Sequence, residues 1–401
     1  MNRLNRKVVA VAAAMVAVAA LAACSSSGNG GGSSGGNSSA NGGGSATPGG
    51  AASTPSGKPV DVTLQLQWVT QAQFAGYIAA FGKGFYTQQG LNVKIVPAGT
   101  DTVPQTTVDD GGSADFAIAW VPKALQSREK GANITDVGQV FQKSGTLQIS
   151  FKNKNITSVA DLKGKTVGDW GFGNEYELFA GMTKNGLDPG KDVKIVQQQF
   201  DMNAFLAGDI DAAQAMTYNE YAQVLEAKNP KTGKLYQPSD LNALNWNTQG
   251  TAMLQDAIWA NTTKLKDPAF QATTVKFLTA SYEGWIYCAS HPQDCRDMVV
   301  KAGSKLGASH QLWQTNEASK LIWPSPQGIG MVDKAAWDRT VKIAENTKNA
   351  DGATVLKGAP KGEAYTNEFT QKALAKLKAM NLDTTGANFK PITVKLNPGG
   401  A

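Results

Sequence analysis

The sequence predicts an α/β fold with mainly parallel sheets, divided between two lobes. Segments that alternate apolar and polar residues, as strands do, follow one another with helical segments between them over residues 60–228. The two sets of segments, over 61–151 and 165–228, have similar layouts. About 340 residues follow an N-terminal low-complexity stretch, which is too long for one ordinary core and suits two.

The first set begins with the alternating stretch 61–68, which predicts a strand, and continues with a helix over 74–85. A turn at Gly90 leads to a second alternating segment, 91–96, so these elements form a βαβ unit. Further strands are predicted over 116–119, 137–141 and 147–151, and helices over 103–110 and 122–130.

The second set begins with a capped turn over 158–164 and includes a glycine-rich loop at 171–173. Strands are predicted over 165–168, 193–197 and 212–215, and helices over 177–185, 202–207 and 219–228. From about residue 252 the composition turns helical, with helices predicted over 268–290, 293–305 and 311–321. The glycine-rich loop lacks the spacing of a nucleotide-binding motif.

The N-terminus predicts export. Arg3, Arg6 and Lys7 precede an uncharged apolar stretch over 8–23, which is the layout of a signal peptide over 1–23. Sixteen residues fall short of the roughly 20 needed to span a bilayer, so a retained membrane anchor is the weaker alternative. The Leu-Ala-Ala-Cys ending resembles the bacterial lipobox, which implies cleavage before Cys24 and a lipid on its sulfur. The other alternative is an ordinary secreted chain.

Residues 24–58 predict a disordered, Gly/Ser-rich tether. Between Ser25 and Gly57 no residue is aromatic or charged, so nothing there offsets the entropy of ordering. Random-coil scaling gives the tether a reach of roughly 30 Å. We therefore expect a globular domain held at the extracytoplasmic face of the cell membrane by its lipid.

Charge excludes a nucleic-acid partner. Loss of the three N-terminal cations leaves 35 basic against 32 acidic residues, a net charge of +3, and no Lys/Arg run appears later. Cys288 and Cys295 are then the remaining cysteines, and in an oxidising compartment their spacing predicts a disulfide across a helix-to-helix turn. A metal site that includes His291 is the alternative, but two Cys and one His match no zinc spacing.

Seven short runs of the sequence are distinctive: QWVTQAQFAGY at 67–77, KGFY at 83–86, GLNV at 90–93, DLKGKTVG at 161–168, GNEY at 173–176, GDIDAA at 208–213 and YNEY at 218–221. Together they resemble ABC-transporter solute-binding proteins of the thiamine-pyrimidine-precursor (ThiY-like) and riboflavin (RibY-like) branch. The resemblance covers about residues 60–277. Motifs such as KGFY are shared with sulfonate- and nitrate-binding relatives, so the family is better defined than the ligand.

The resemblance implies a two-lobed periplasmic-binding-protein type II fold. Lobe I would comprise 59–151 and 256–401, and lobe II 152–255, with hinge closure over a small molecule held in the cleft. The partners it implies are that ligand and the permease subunits of an importer, and we expect the chain to act as a monomer.

Four aromatic residues fall at or just after strand ends: Trp68, Trp120, Trp170 and Tyr218. Ligands of open α/β sheets sit beyond the carboxyl ends of strands, so these rings are candidates to stack on a planar heterocycle. The alternative for each ring is that it merely packs its own lobe.

Polar candidates accompany the rings. Glu175 lies at a helix start, where an ionised carboxylate is favoured and can accept a ligand N–H; its alternative role is to cap its own helix. Asn174 and Tyr176 flank it, and Asn219 follows Tyr218. Gln73 and Tyr77 are i, i+4 neighbours, which predicts that both face the ligand unless Tyr77 is a core residue.

The same fold family includes fungal pyrimidine synthases, which use a catalytic histidine and a cysteine-rich motif. Here the histidines, His291 and His310, fall outside the expected cleft, and no cofactor or metal is predicted. Three hypotheses therefore stay open: a receptor for a planar vitamin or precursor, the same scaffold binding an alkanesulfonate or nitrate in a cationic or hydroxyl-rich pocket, and an enzyme.

Overall fold

The structure is a computed structural model that describes residues 57–349 and 351–401. The predicted signal peptide, the lipidation site Cys24 and nearly all of the predicted tether lie outside the described residues. Within them, strands form at β1 Val60–Gln65, β2 Leu91–Val96, β3 Phe116–Trp120, β4 Ile134–Gln139, β5 Thr146–Phe151, β6 Thr166–Asp169, β7 Lys194–Gln197, β8 Ala213–Met216, β9 Leu241–Asn245 and β10 Asp256–Asn261. The predicted α/β class is confirmed.

The largest sheet has the order β2-β1-β3-β10-β4. β1 runs parallel to β2 and β3, whereas β10 lies antiparallel to β3 and β4. Along β3, Phe116 and Ile118 contribute to one hydrophobic core and Ala117 and Ala119 to another. The sheet is therefore covered on both faces, and its carboxyl edges open toward the cavity described below.

The second group of strands corrects one expectation. β5 lies antiparallel to both β8 and β9, so mainly parallel pairing is wrong for this part of the chain; among the named strands there, β6 and β7 form the parallel pair. β5, which was expected in the same lobe as β1 to β4, pairs instead with β8 and β9. Because β4 belongs to the first sheet and β5 to the second, the chain crosses between them over residues 140–145. The chain returns from the second group of strands to the first sheet over residues 250–255.

Helices cover both groups of strands. They are α1 Ala75–Gly82, α2 Phe85–Gln88, α3 Val121–Glu129, α4 Tyr176–Lys184, α5 Asn203–Ala207, α6 Glu220–Leu225, α7 Trp246–Gln249, α8 Pro268–Ser290, α9 Pro292–Lys301, α10 Ala308–Ile322, α11 Lys334–Asn346 and α12 Glu368–Ala379. Among the described residues, no helix is both long and apolar enough to cross a membrane.

Six elements were not predicted: β9, β10, α2, α7, α11 and α12. β10 is buried along its whole length and shows no alternation, so the period-two signal is missing. The segment predicted as a helix over 103–110 forms only a 3₁₀ turn, Pro104–Val108. In contrast, β2 and α8 have the predicted ends, since both carry a clear pattern and a turn or cap at their boundaries.

A disulfide and the segment after α12 connect helices in the C-terminal part of the chain. A disulfide joins Cys288 in α8 to Cys295 in α9, with the Cα atoms 5.6 Å apart, at the predicted helix-to-helix turn. Beyond α12 the chain continues along α10, where the amide of Ile392 donates to the side-chain oxygen of Asn316 at 2.8 Å. The segment then reaches α6 through the amide of Gly399, which donates to the carbonyl of Glu226 at 3.1 Å.

Helices α1 and α8 approach closely at two glycines. A Cβ on Gly284 would overlap the carbonyl oxygen of Gly76, and a Cβ on Gly76 would overlap the ring of Trp285. Because backbone meets backbone here, neither helix has room to shift. α1 directly follows the turn that carries Gln71 and Gln73, so this contact fixes one side of the cavity.

We expect Gly284→Ala to lower the free energy of unfolding by about 2 kcal/mol or more, because overpacked cores cost about 1–3 kcal/mol even without a backbone clash. Urea denaturation followed by tryptophan fluorescence measures the change.

Gly82→Ala in α1 is the matched control. Its Cβ would lie 2.7 Å from the sulfur of Met298, a flexible side chain that can move. We expect a change within about 1 kcal/mol, since helix propensity favours alanine. Equal effects of the two substitutions would contradict the backbone argument.

Candidate functional site

A cavity of about 540 Å³ lies at the carboxyl ends of the strands. Its size falls within the range of sites that bind drug-sized molecules, about 300–1,000 Å³. Both groups of strands contribute to it. The lining includes Gln67, Trp68, Gln71, Gln73, Gln105, Trp120, Lys123, Gln126, Trp170, Phe172, Asn174, Glu175, Tyr176, Phe200, Tyr218, Asn219 and Glu220.

The structure brings nine of the ten predicted site residues to this cavity. They are Trp68, Gln73, Trp120, Trp170, Asn174, Glu175, Tyr176, Tyr218 and Asn219. Tyr77 does not line it. That side chain is buried against Trp285, edge-on with ring centroids 5.8 Å apart, because its face of α1 packs on α8. Tyr77 is therefore a core residue.

An aromatic wall runs across the cavity. The ring centre of Phe200 lies 4.5 Å from that of Trp68 and 6.1 Å from that of Trp170. The planes of the Phe200 and Trp170 rings are only 15° apart. Phe200 thus joins a ring that follows β1 to one that follows β6. Sequence reasoning missed it, although its position shortly after β7 is the same signal that identified the other rings.

Phe172 was also missed. It lines the cavity with 71% of its surface exposed, and its φ of +56° is a left-handed conformation that side-chain-bearing residues seldom adopt. The flanking Gly171 and Gly173 also have positive φ, which glycine adopts readily, so three successive residues of this loop have a left-handed conformation. The loop therefore presents an exposed ring at the rim of the cavity.

Asp256 anchors the side of the cavity formed by the first sheet. Its carboxylate accepts hydrogen bonds from the side-chain amides of Gln73, at 2.9 Å, and Gln67, and from the indole N–H of Trp120, at 2.9 Å. Burial raises the pKa of Asp256 to about 6, although these three bonds act in the opposite direction. One acid therefore orients three lining residues.

Lys123, on α3, is a half-buried cation that lines the cavity. Its ammonium donates to the side-chain oxygen of Asn174 at 2.7 Å and lies 4.9 Å from the centre of the Trp120 ring. Burial lowers the pKa of Lys123 to about 8, while Glu175 and Asp256 act to raise it. The bond to Asn174 links α3 to the loop that precedes α4.

Glu175 is 4% exposed and precedes α4. Its carboxylate accepts a hydrogen bond from the amide of Gly173 at 2.9 Å and makes no capping bond to the helix, so the capping alternative is not supported. Burial raises the pKa of Glu175, opposed by backbone amides and Lys123. Nearby, burial and the charge of Glu175 raise the pKa of Asp169 to about 7.

Glu177 connects this loop to both chain crossings. Its carboxylate accepts from the hydroxyl of Ser144 at 2.7 Å and from the amide of Met253 at 2.6 Å. Gln255 adds a second link, since its amide nitrogen donates to Ser144 at 3.0 Å and to Thr146 at 2.7 Å. The helix that follows Glu175 is thus bonded to both segments that join the two sheets.

Comparison with known proteins agrees with this architecture. The sequence profile of a family described as NMT1/THI5 like matches residues 71–295. A riboflavin-binding protein, RibY, from Chloroflexus aurantiacus is 26% identical over 329 residues, which are 79% of this chain and 88% of that protein. A formylaminopyrimidine-binding protein from Halalkalibacterium halodurans is 25% identical over 41% of this chain and 50% of its own length.

A solved structure supports the fold. The periplasmic sulfonate-binding protein SsuA from Methylobacillus flagellatus matches with a TM-score of 0.58 at 18% identity, over 84% of this chain and 99% of that one. This likeness confirms the periplasmic-binding-protein fold expected from the sequence.

One relative is named as an enzyme. A 4-amino-5-hydroxymethyl-2-methylpyrimidine phosphate synthase from Legionella pneumophila is 30% identical over 131 residues, which are 32% of this chain and 40% of that protein. Of the described residues, no histidine lines the cavity, and no three or more His, Cys, Asp and Glu side chains are grouped to hold a metal ion.

Five buried acids predict how stability depends on pH. Burial raises the pKa to about 8 for Asp136, to about 7 for Asp169, Glu177 and Glu220, and to about 6 for Asp256. The folded state therefore keeps protons that the unfolded chain has already released. The free energy of unfolding should fall as the pH rises from about 5 to about 8.

Urea denaturation at pH 5, 6.5 and 8 measures this slope. Asp136→Asn should flatten it between pH 6.5 and 8, because that acid no longer titrates, whereas Asp101→Asn at an exposed position should leave it unchanged. A stability that stays constant or rises over this range would contradict the prediction.

Proposed function

The chain belongs to the NMT1/THI5-like family, and from this premise we propose that it is a solute-binding protein of an ABC importer that captures a planar heterocyclic vitamin or vitamin precursor. The observation that carries the proposal is a cavity walled by seven aromatic residues with a buried carboxylate beside them. The rings are Trp68, Trp120, Trp170, Phe172, Tyr176, Phe200 and Tyr218, and the carboxylate is Glu175.

Aromatic walls suit a flat ring system. Each stacked or edge-on pair contributes about 0.5–1.5 kcal/mol beyond simple burial. Glu175 supplies an acceptor that a ring imide or amino group can satisfy, and a bond to a charged acceptor is about twice as strong as a neutral one. The ligand is therefore recognised by its flat faces and by an N–H on its edge.

Between the two candidate ligands, riboflavin is favoured. The cavity of about 540 Å³ has room for a ligand larger than a single aminopyrimidine ring. RibY is also the relative for which the match extends over 88% of the relative's length. A formylaminopyrimidine-type thiamine precursor is the second candidate, because another relative is named for binding it.

An alkanesulfonate or nitrate suits the cavity less well. Such anions call for free cationic donors, but the described lining includes no arginine, and Lys123 is already bonded to Asn174. Glu175, Glu220 and Asp351 outnumber the lining cations Lys123 and Lys130. The electrostatic balance of the cavity therefore disfavours an anion.

We propose binding without chemistry. General-base catalysis near neutral pH most often uses histidine, and the described lining has none. Capture would proceed by hinge closure of the two lobes over the ligand, with the chain acting as a monomer. Cleavage before Cys24 and a lipid on its sulfur would hold the receptor at the extracytoplasmic face of the membrane, where the permease subunits of the importer receive the ligand.

Quenching of tryptophan fluorescence tests the ligand class. The purified protein is titrated separately with riboflavin, formylaminopyrimidine and ethanesulfonate. We expect saturable quenching with riboflavin and weaker or no response to ethanesulfonate. Binding of ethanesulfonate alone would overturn the proposal, and binding of formylaminopyrimidine alone would replace riboflavin by the second candidate.

Glu175→Gln should weaken riboflavin binding about 10- to 100-fold, since a hydrogen bond to a charged group contributes roughly 1.5–3 kcal/mol. Isothermal titration calorimetry gives the dissociation constant. Glu363→Gln, at an exposed position, is the matched control and should bind as the unmodified protein does. Unchanged affinity in Glu175→Gln would leave this acid a purely structural role in its loop.

A further inference from the structure

A buried row of polar side chains links α10 to the cavity. His310, fully buried on α10, lies between two residues of the neighbouring segment: its Nδ1 is 2.8 Å from the carboxylate of Glu226, and its Nε2 is 3.0 Å from Oδ1 of Asn219. Asn219 in turn donates from Nδ2 to the carboxylate of Glu220 at 2.7 Å. Asn219 and Glu220 line the cavity, whereas His310 does not.

The donor and acceptor capacity of each group determines which atoms in this row carry hydrogens. The carboxylate of Glu220 accepts, so the NH₂ group of Asn219 must face it, and the amide oxygen of Asn219 then faces His310. The carboxylate of Glu226 also accepts. Both neighbours of the imidazole are therefore acceptors, and both of its nitrogens must donate, which requires the doubly protonated ring.

The same bonds decide what Asn219 offers to the cavity. Its oxygen has two lone pairs, which accept from His310 and, at 3.4 Å, from the side-chain amide of Gln223. Its NH₂ group has two hydrogens, of which Glu220 takes one. One N–H is left over. Asn219 is thus a donor, the complement of the acceptor Glu175.

We propose that His310 is a positioning residue of the binding site: as an imidazolium, it holds the amide of Asn219 so that an N–H, and not the carbonyl oxygen, is presented to the ligand. This inference rests on the proposed function, since the ligand it describes is the heterocycle. The matching group on that ligand is a ring carbonyl or an unprotonated ring nitrogen.

In the competing arrangement, one proton lies on Glu220 instead of on His310. If Asn219 were flipped, its NH₂ group would face a neutral His310 and its oxygen would face a protonated Glu220, whose pKa burial raises to about 7. The acidic groups bonded to the imidazole are Glu226, which directly follows α6, and, through Asn219, Glu220 at the start of α6. The C-terminal segment places Gly399 and Gly400 beside Glu226, and Gly400 also lies beside His310.

Nitrogen NMR distinguishes the two arrangements without any ligand. The chain has two histidines, so His291→Gln, at an exposed position, leaves His310 as the only imidazole. Two-bond ¹H–¹⁵N correlation spectra of this variant at pH 7.5 should place both ring nitrogens in the protonated range. One protonated and one unprotonated nitrogen at this pH would overturn the proposal.

Affinity provides the second measurement. His310→Gln should weaken riboflavin binding about tenfold, which corresponds to the loss of one hydrogen bond, while His291→Gln should leave it unchanged. If His310→Gln does not fold, Asn219→Asp tests the same point, because a carboxylate cannot donate; it should also bind at least tenfold more weakly. Unchanged affinity in the folded variant would overturn the proposal.

The two measurements separate this inference from the proposed function. If riboflavin binds and a ring nitrogen of His310 is unprotonated, the inference alone fails. If His310 is doubly protonated and none of the three ligands binds, the proposed function fails and the protonation of His310 stands.

Discussion

The carboxylate of Asp256 is the interaction on which the cavity depends. It stands at the first residue of β10, directly after the chain returns from the second group of strands, and gathers Gln67, Gln73 and Trp120 around itself. A buried carboxylate is unfavourable unless donors surround it. Three donors offset part of the cost of burying this charge, and the same three bonds orient one side of the site.

The other side of the cavity depends on the loop before α4. Glu175 is held there by the amide of Gly173, while Glu177 bonds α4 to both crossings between the sheets. Lys123 then connects the two sides through Asn174. Hydrogen bonds therefore link the loop that lines the cavity to α3 and to both segments that join the two sheets.

Much of the fold and of the site was predictable because the strands on the first side of the cavity carry visible patterns. Trp68 and Trp120 end segments recognised by alternation or by apolar runs, so the rule that ligands gather at strand ends led to two residues that line the cavity. The antiparallel strand β10 was missed because burial on both faces removes the alternation. Because β10 was not predicted, Asp256 was not identified either: a lone acid in the sequence points to a site only when its neighbours in space are known.

Other misses have a different cause. Tyr77 has the right spacing from Gln73 to share a face with it, but helix α1 packs on α8, and only the tertiary contact decides which face is buried. His310 was rightly placed outside the cavity; its contact with Asn219 joins residues 91 positions apart, which no local pattern encodes.

The close approach of Gly76 and Gly284 has a consequence for how such receptors diversify. Because the two backbones touch with no side chain between them, neither helix can move to accommodate a substitution. We therefore expect the turn that carries Gln71 and Gln73 to acquire few substitutions that change ligand preference. The loop at 171–176 is not wedged in this way: its ring at Phe172 protrudes and its glycines accept unusual torsion angles. Substitutions that alter ligand preference should therefore accumulate on that loop, while the opposite wall of the cavity changes little.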